Sequence, residues 1–464
     1  MLTSILDLLH GFEPLAFYLA TIAVFLVSAL RRPEIGLYYL AFFLPLVNTR
    51  HMLHAFPFGE KFVDFVLLGV FIGIVSGRAG TEWTVTPLTA FLSVWGVLLY
   101  ASLWRGSFYL GSDWPISPAD PRVSDWKNYV EFFFFFLAAV SAIRTKKQIA
   151  GLLITAGVCF LMVNREFYGT MSSRDLSSFS YDVRDAGPLG GAGENGLAAF
   201  EATCLLFLTA MLGMKLKRTL KWAILGLIFT GVYCLLFTFS RGGYVAVLGG
   251  LLFLGVVNQR KLLILVAVLI VSWQALLPVS VQQRITMTYD QSDGGGTLDA
   301  SAQTRVNLWA DTEALIAANP LFGTGFQTYA YMGRMEDLKD THNYYLKIMV
   351  ETGAVGLLMF LYVLWRMFAL GYQLYRQSED PFLASVGLGF SALMVGMFLA
   401  NLFGDRWSYF QVDGWMWMLL GAVVRGLILT EQPQVSTDEA AAAEIAEPEG
   451  VLIQELRHGD AFLP

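Results

Sequence analysis

The sequence predicts an all-α, polytopic integral membrane protein with 12–13 transmembrane helices and a long external loop containing short helices. Three observations lead there. The chain is 56% hydrophobic and 15% charged, with a mean hydropathy of +0.56, whereas a soluble domain is about 45–50% apolar and about 25% charged. Its apolar residues gather into runs that approach the roughly 20 residues needed to cross about 30 Å of hydrocarbon. Lys and Arg collect at every second turn between those runs, as cytoplasmic loops do. Phe and Trp are abundant enough for aromatic belts, and the short alternating segments of a β-barrel are absent.

Met1–Phe12 reads as a mildly amphipathic, interfacial lead-in. No basic region precedes the first apolar run, and Arg31-Arg32 follow it, so a retained first span is expected rather than a cleaved signal peptide. Spans are expected at about 13–30, 34–48, 61–77, 87–104, 128–143, 148–164, 195–214, 221–239, 243–257, 261–279, 344–370, 382–402 and 409–428. The short run at 34–48 accounts for the range of 12–13. Arg31/Arg32, Arg144/Lys146/Lys147, Lys215/Lys217/Arg218/Lys221, Arg260/Lys261 and Arg366/Arg376 then share the cytoplasmic side. The N-terminus and the loops at 49–60, 105–127, 165–194, 240–242, 280–343 and 403–408 fall outside, and the C-terminus inside.

Residues 1–164 are thus an N-terminal transmembrane bundle. Residues 165–430 are a transmembrane core that includes the external segment 280–343. Residues 431–464, rich in Glu and Ala, are a mobile acidic cytoplasmic tail. Cys159, Cys204 and Cys234 all lie in apolar runs and read as small buried hydrophobes, without metal spacing or a disulfide framework. The carboxylates inside the expected spans, Asp64, Glu131, Glu201 and Asp413, are not visibly paired with intramembrane Lys or Arg in a relay. An ion-coupled transporter would carry more such charge.

Chemistry therefore concentrates in the external segments. Gly187–Gly196 is glycine-rich but lacks the Gly-Lys-Ser/Thr ending of a nucleotide loop. It is either a tight re-entry turn or a wall of an external cavity built from Gly193, Glu194 and Asn195. Ser240-Arg241-Gly242-Gly243 joins two spans with almost no loop, so Arg241 either snorkels to lipid headgroups or binds an anion. Arg305 sits in an expected surface helix at about 301–318, where a solvated side chain paired with Asp311 or Glu313 is the plainer reading. His342 follows Asp340-Thr341, one of which is expected to cap the helix that begins near Tyr344. In that first turn the helix dipole disfavours imidazolium, leaving either a capping histidine or a general base. His51 and His54 lack a third metal ligand.

These motifs together are similar to the O-antigen ligase and polymerase superfamily (the WaaL/Wzy type). The resemblance rests on Ser240-Arg241-Gly242-Gly243, Arg305, Asn319-Pro320-Leu321-Phe322-Gly323-Thr324-Gly325, Thr341-His342-Asn343-Tyr344-Tyr345-Leu346 and Glu351-Thr352-Gly353-Ala354-Val355-Gly356-Leu357, and covers about Leu189 to Leu370. Arg31-Arg32-Pro33-Glu34-Ile35-Gly36 resembles the exosortase-associated O-glycosylation ligase branch. The resemblance implies a glycosyltransferase at the outer face of a bacterial inner membrane. The donor would be a glycan on undecaprenyl diphosphate and the acceptor hydroxyl would lie on a lipid, glycan or protein. No cofactor, metal or nucleic-acid partner is implied. Arg241 and Arg305 would hold the diphosphate by paired hydrogen bonds. His342 would be the base of an inverting transfer, Asp340 would orient this region, and Asn343, Tyr344, Trp309 and Tyr329 would contact sugar. A polymerase with the same chemistry, a transporter or flippase, and a non-catalytic scaffold are the rival readings.

Overall fold

The structure, a computed structural model, describes residues 2–287, 300–333 and 341–431. The expected tail beyond Glu431 and Asp340 lie outside the described residues. All thirteen apolar runs form helix, and no strand occurs among the described residues. In chain order the helices are α1 (Leu2–Leu30), α2 (Glu34–Phe43), α3 (Val47–His51), α4 (Phe62–Val75), α5 (Pro87–Leu110), α6 (Pro121–Ala142), α7 (Lys146–Met171), α8 (Gly193–Met211) and α9 (Arg218–Phe237). There follow α10 (Arg241–Val257), α11 (Lys261–Leu276), α12 (Val279–Thr286), α13 (Ala300–Ala318), α14 (Thr328–Tyr331), α15 (Tyr344–Gln377), α16 (Pro381–Ala400) and α17 (Phe410–Glu431).

Among the described residues, seven helices are long and apolar enough to cross a membrane: α1, α5, α7, α9, α15, α16 and α17. α11 and α12 would add an eighth as one span bent by 109°, and α2, α4 and α10 are apolar but shorter. The protein is thus a multi-pass membrane protein. The run at 34–48 is not one continuous helix. α2 has ten residues and covers about 15 Å at 1.5 Å per residue, half the hydrocarbon. Pro45, which has no N–H to give, separates it from α3.

Helix starts follow local chemistry. Thr86 and Thr145 form capping boxes with Thr89 and Gln148 at the heads of α5 and α7. Asp120 and Asp380 cap α6 and α16, each with proline at the first helical position. The basic turns meet at one end of the bundle, as the charge alternation predicts. Lys146, between α6 and α7, pairs with Asp380, between α15 and α16. Gln259, between α10 and α11, donates to the Thr209 and Ala210 carbonyls at 3.2 and 3.3 Å. α16 and α17 form the buried centre, packed on α8, α10 and α15 and on α6 and α15 respectively.

Asp64 and Glu131 share a basic partner at the edge of the expected span at 128–143: Lys127 Nζ lies 2.7 Å from Asp64 Oδ1 and 3.1 Å from Glu131 Oε2. Lys127 sits one turn before Glu131, just outside the apolar run, and Asp64 comes from a distant helix. The i,i+4 spacing allows the contact with Glu131; adjacency along the chain could not show the one with Asp64.

α15 is broken at Gly353 (φ 67°, ψ −167°), and the break explains two of the glycine motifs. The interruption frees carbonyls and N–H groups inside the helix, and buried backbone needs partners from protein. The segment at 320–325 supplies them. Thr324 and Gly325 donate to the Val350 and Glu351 carbonyls at 2.8 Å each, while Ala354 and Val355 donate to the Pro320 and Leu321 carbonyls at 2.9 and 3.2 Å. The two backbones lie so close that a Cβ on Gly353 would sit 2.3 Å from the Leu321 carbonyl. Gly353→Ala is therefore expected to destabilise the protein by more than the roughly 1–3 kcal/mol of the backbone conformation alone. Thermal unfolding in detergent measures this, and an unchanged midpoint would refute it. The same segment is held from α5, where Arg105 Nε donates to the Gly323 carbonyl at 2.6 Å and Ser102 Oγ accepts from Phe326 N at 2.9 Å.

Candidate active site

A cavity of about 450 Å³ opens at the end of the bundle opposite the basic turns. Arg184, Asn195, Ala199, Ser240, Arg241, Gly242, Gly243, Arg284, Arg305, His342, Ala400, Phe403 and Arg406 line it. Five guanidiniums and one imidazole thus face a single space, and no Asp or Glu stands among the described lining residues.

Each cation is positioned by a different element. Arg241 is the first residue of α10, whose cap is Ser240: its Oγ accepts from Gly243 N at 3.4 Å and donates to Asn195 Oδ1 at 2.7 Å. Phe239, at φ 53°, makes the tight turn from α9. Arg184 Nη2 donates to the same Asn195 Oδ1 at 3.2 Å, and its Nε to the Thr238 carbonyl at 3.2 Å. Asn195, in the first turn of α8, thereby ties that helix to the Arg184 segment and to the Ser240 turn. Burial pulls the Arg184 pKa below its ordinary value; the nearby Glu194 opposes the shift and Arg284 adds to it.

Arg284 comes from α12, which is bent by 109° from α11. It is only 4% exposed. Its Nε donates to the Phe239 carbonyl and its Nη1 to Tyr181 Oη, both at 3.2 Å, while its guanidinium carbon lies 5.0 and 5.2 Å from the Phe179 and Tyr181 rings. Arg406 follows Gly404, whose φ of 142° only glycine adopts readily. Arg406 Nη1 donates to the Asp405 carbonyl at 2.8 Å, and its backbone N to Asn401 Oδ1 at 3.0 Å.

Arg305 lies on α13, and four residues on Trp309 Nε1 donates to the Thr341 carbonyl at 3.1 Å. That bond fastens the helix of Arg305 to the residue before His342. His342 itself has φ 50°, in the left-handed region, where histidine is tolerated better than most side chains but still strained. The surrounding bonds impose the conformation: Thr341 Oγ1 donates to the Asn343 carbonyl at 2.6 Å and accepts from Asn343 N at 3.3 Å.

The structure brings together Arg241, Arg305, His342 and Asn195, four of the residues singled out in the sequence. It places the other described ones elsewhere. The cap of α15 is Asn343, whose Oδ1 accepts from Tyr345 N and Leu346 N at 3.0 and 3.3 Å, not Asp340 or Thr341. His342 therefore precedes the cap and is outside the first turn, so the helix-dipole argument loses its basis. Tyr344 is 1% exposed and packs edge-on against Phe360; Tyr329 is buried against Leu315 and Val350. Neither ring is available to a sugar. Trp309 serves as the tether just described. Gly193 and Glu194 do not line the cavity. The glycine turn packs instead near Val47, Phe167 and Leu197, because its positive-φ residues fold it back on the bundle. Arg184, Arg284 and Arg406 went unmarked: none lies in a local motif. The one available signal was their position in expected external segments.

Behind the cavity, Lys347 Nζ and Asp405 Oδ2 pair at 3.0 Å, both nearly buried. Asp405 Oδ1 also accepts from Trp407 N and Ser408 N, each at 3.0 Å. The pair joins the head of α15 to the loop of Arg406. Removing one partner strands a buried charge, so Lys347→Ala is expected to destabilise by about 3–5 kcal/mol. Denaturant or thermal unfolding of the purified protein reads this directly, and a loss under about 1 kcal/mol, as for a surface pair, would contradict it.

Residues 225–361 match the sequence model of the family described as O-antigen ligase. No curated protein matches the chain. The matched stretch runs from α9 into α15 and contains Arg241, Arg305 and His342, while Arg184, Asn195 and Arg406 lie outside it. The chain is thus similar, over residues 225–361, to the O-antigen ligase family.

Proposed function

We propose that the protein transfers a glycan from undecaprenyl diphosphate to an acceptor hydroxyl at the outer face of a bacterial inner membrane. The observation that carries this reading is the convergence of five arginines and His342 on one cavity. A diphosphate leaving group needs fixed positive charge where its negative charge develops, and guanidinium forks supply it as paired hydrogen bonds. Arg241 and Arg305 bind the diphosphate oxygens. His342 takes the proton of the acceptor hydroxyl as that oxygen bonds to the anomeric carbon. The bond from that carbon to the phosphate oxygen breaks on the opposite side, its electrons remain on the diphosphate, and the configuration inverts.

The test is transfer by the purified protein in lipid nanodiscs, supplied with an undecaprenyl-diphosphate glycan and its acceptor. Product with inverted anomeric configuration supports the reading, and no turnover with any acceptor class would overturn it. The reaction is expected to survive EDTA; inhibition that Mg²⁺ reverses would overturn the metal-independent form of the mechanism. Ligase and polymerase use the same step on different acceptors. A deletion strain that loses attachment identifies the ligase, and one that loses chain length the polymerase.

A further inference from the structure

A second groove, of about 660 Å³, lies on the cap between α5 and α6, within the about 300–1,000 Å³ typical of ligand sites. Trp114, Tyr331, Asp113, Ser112, Ser117 and Arg122 are among its lining residues. Tyr331 comes from the segment that also carries Arg305, so the same insert borders both the cationic cavity and this groove.

The groove differs from the cavity in charge. Arg122 is fully engaged: it pairs with Asp120 at 2.7 Å, and donates to Ser107 Oγ and Ser112 Oγ at 2.8 and 2.7 Å and to the Asp113 carbonyl at 2.8 Å. Its bonds build the cap and leave no donor for an anion. Asp113 is exposed, so its carboxylate is open to accept hydrogen bonds. Trp114 is 55% exposed and backed by Trp104 at 5.1 Å between ring centroids. Tyr331 is 43% exposed, its ring fixed by a 3.1 Å bond from Oη to Asp125 Oδ2. Two oriented aromatic faces beside a free carboxylate and serine hydroxyls suit a neutral polyhydroxylated ligand: C–H faces stack on the rings and hydroxyls donate to the acid. The acid and the spent arginine both disfavour a polyanion.

We propose that this groove is a glycan subsite, which holds neutral sugar units remote from the reacting carbon; it rests on the transfer reading for the identity of its ligand. Remote binding of this kind orients the reacting sugar at the cavity.

The probe is a lipid-free oligosaccharide ladder, released by mild acid from the host strain's own lipid-linked glycan. Binding to the full-length protein in nanodiscs is measured by saturation-transfer NMR and titration. Saturable binding is expected, weakened tenfold or more by Trp114→Ala, Asp113→Asn and Tyr331→Ala. His342→Ala should bind the ladder normally. Because Asp113 is exposed, Asp113→Asn separates a lost contact from a misfolded cap. Wild-type binding in all three groove variants would overturn the subsite. So would an absence of saturable binding, or a Trp114→Ala effect confined to membrane insertion, which would make that ring an interfacial anchor. These outcomes leave the transfer reading intact. Conversely, normal transfer by His342→Ala with groove binding preserved would remove the proposed mechanism and keep the subsite.

Discussion

Alanine in place of His342 is expected to lower glycan transfer by about 10²–10⁴-fold, the usual contribution of a positioned general base. Two features make this side chain the candidate. It lines the cavity with five arginines, and it is the one imidazole there, able to accept a proton between charges fixed in the cationic state. Its backbone is held at φ 50°, and strain of this kind collects where surrounding structure needs a side chain aimed in one direction. The strain also supplies the control. Glycine adopts positive φ without cost, so His342→Gly should keep the loop, the Asn343 cap and the Trp309 tether while losing the base. Both variants should insert and elute as the wild type does, and both should fail to transfer. Near-normal transfer by either would end the assignment.

Loss of either guanidinium on the diphosphate is expected to cost about 10²–10³-fold in kcat, as removal of one preorganised donor does. Arg305→Ala tests this on α13. Arg241→Lys is the sharper test, because it keeps the charge and the first position of α10. A lysine offers a point charge where the planar fork makes two parallel bonds, so Arg241→Lys should also be poor. If Arg241→Lys and Arg241→Ala both transferred normally, Arg241 would be a headgroup anchor at a membrane surface. Arg184 and Arg284 should respond differently. Their donors hold Thr238, Asn195, Phe239 and Tyr181, so their loss should destabilise the site as well as slow it.

Much of the fold could be read along the chain because the bilayer restricts the choices. Spanning backbone must satisfy its own hydrogen bonds, so each apolar run had to be helix. The side of each turn followed from basic residues, and the contacts of Lys146 and Gln259 agree with it. Arg241, Arg305 and His342 were legible because each breaks a local expectation: a cation in a loopless turn, an arginine in a polar insert, a histidine before a span. Arg184, Arg284 and Arg406 break none. Asn343 was misjudged because asparagine, aspartate and threonine are near-equal caps, and geometry alone chooses among them. Tyr344 was expected to contact sugar, yet its ring turns inward onto Phe360.

By itself, then, the sequence pointed to an all-helical membrane protein, the pairing of its turns by side, and four residues that line the cavity, since these depend on composition and near neighbours. The tertiary structure alone decided that those four meet, that three more arginines join them, and that the 320–325 segment repairs the break in α15. Each of these is a contact between segments far apart in the chain, set by packing and by the need to partner buried backbone, and neither has a local pattern to announce it.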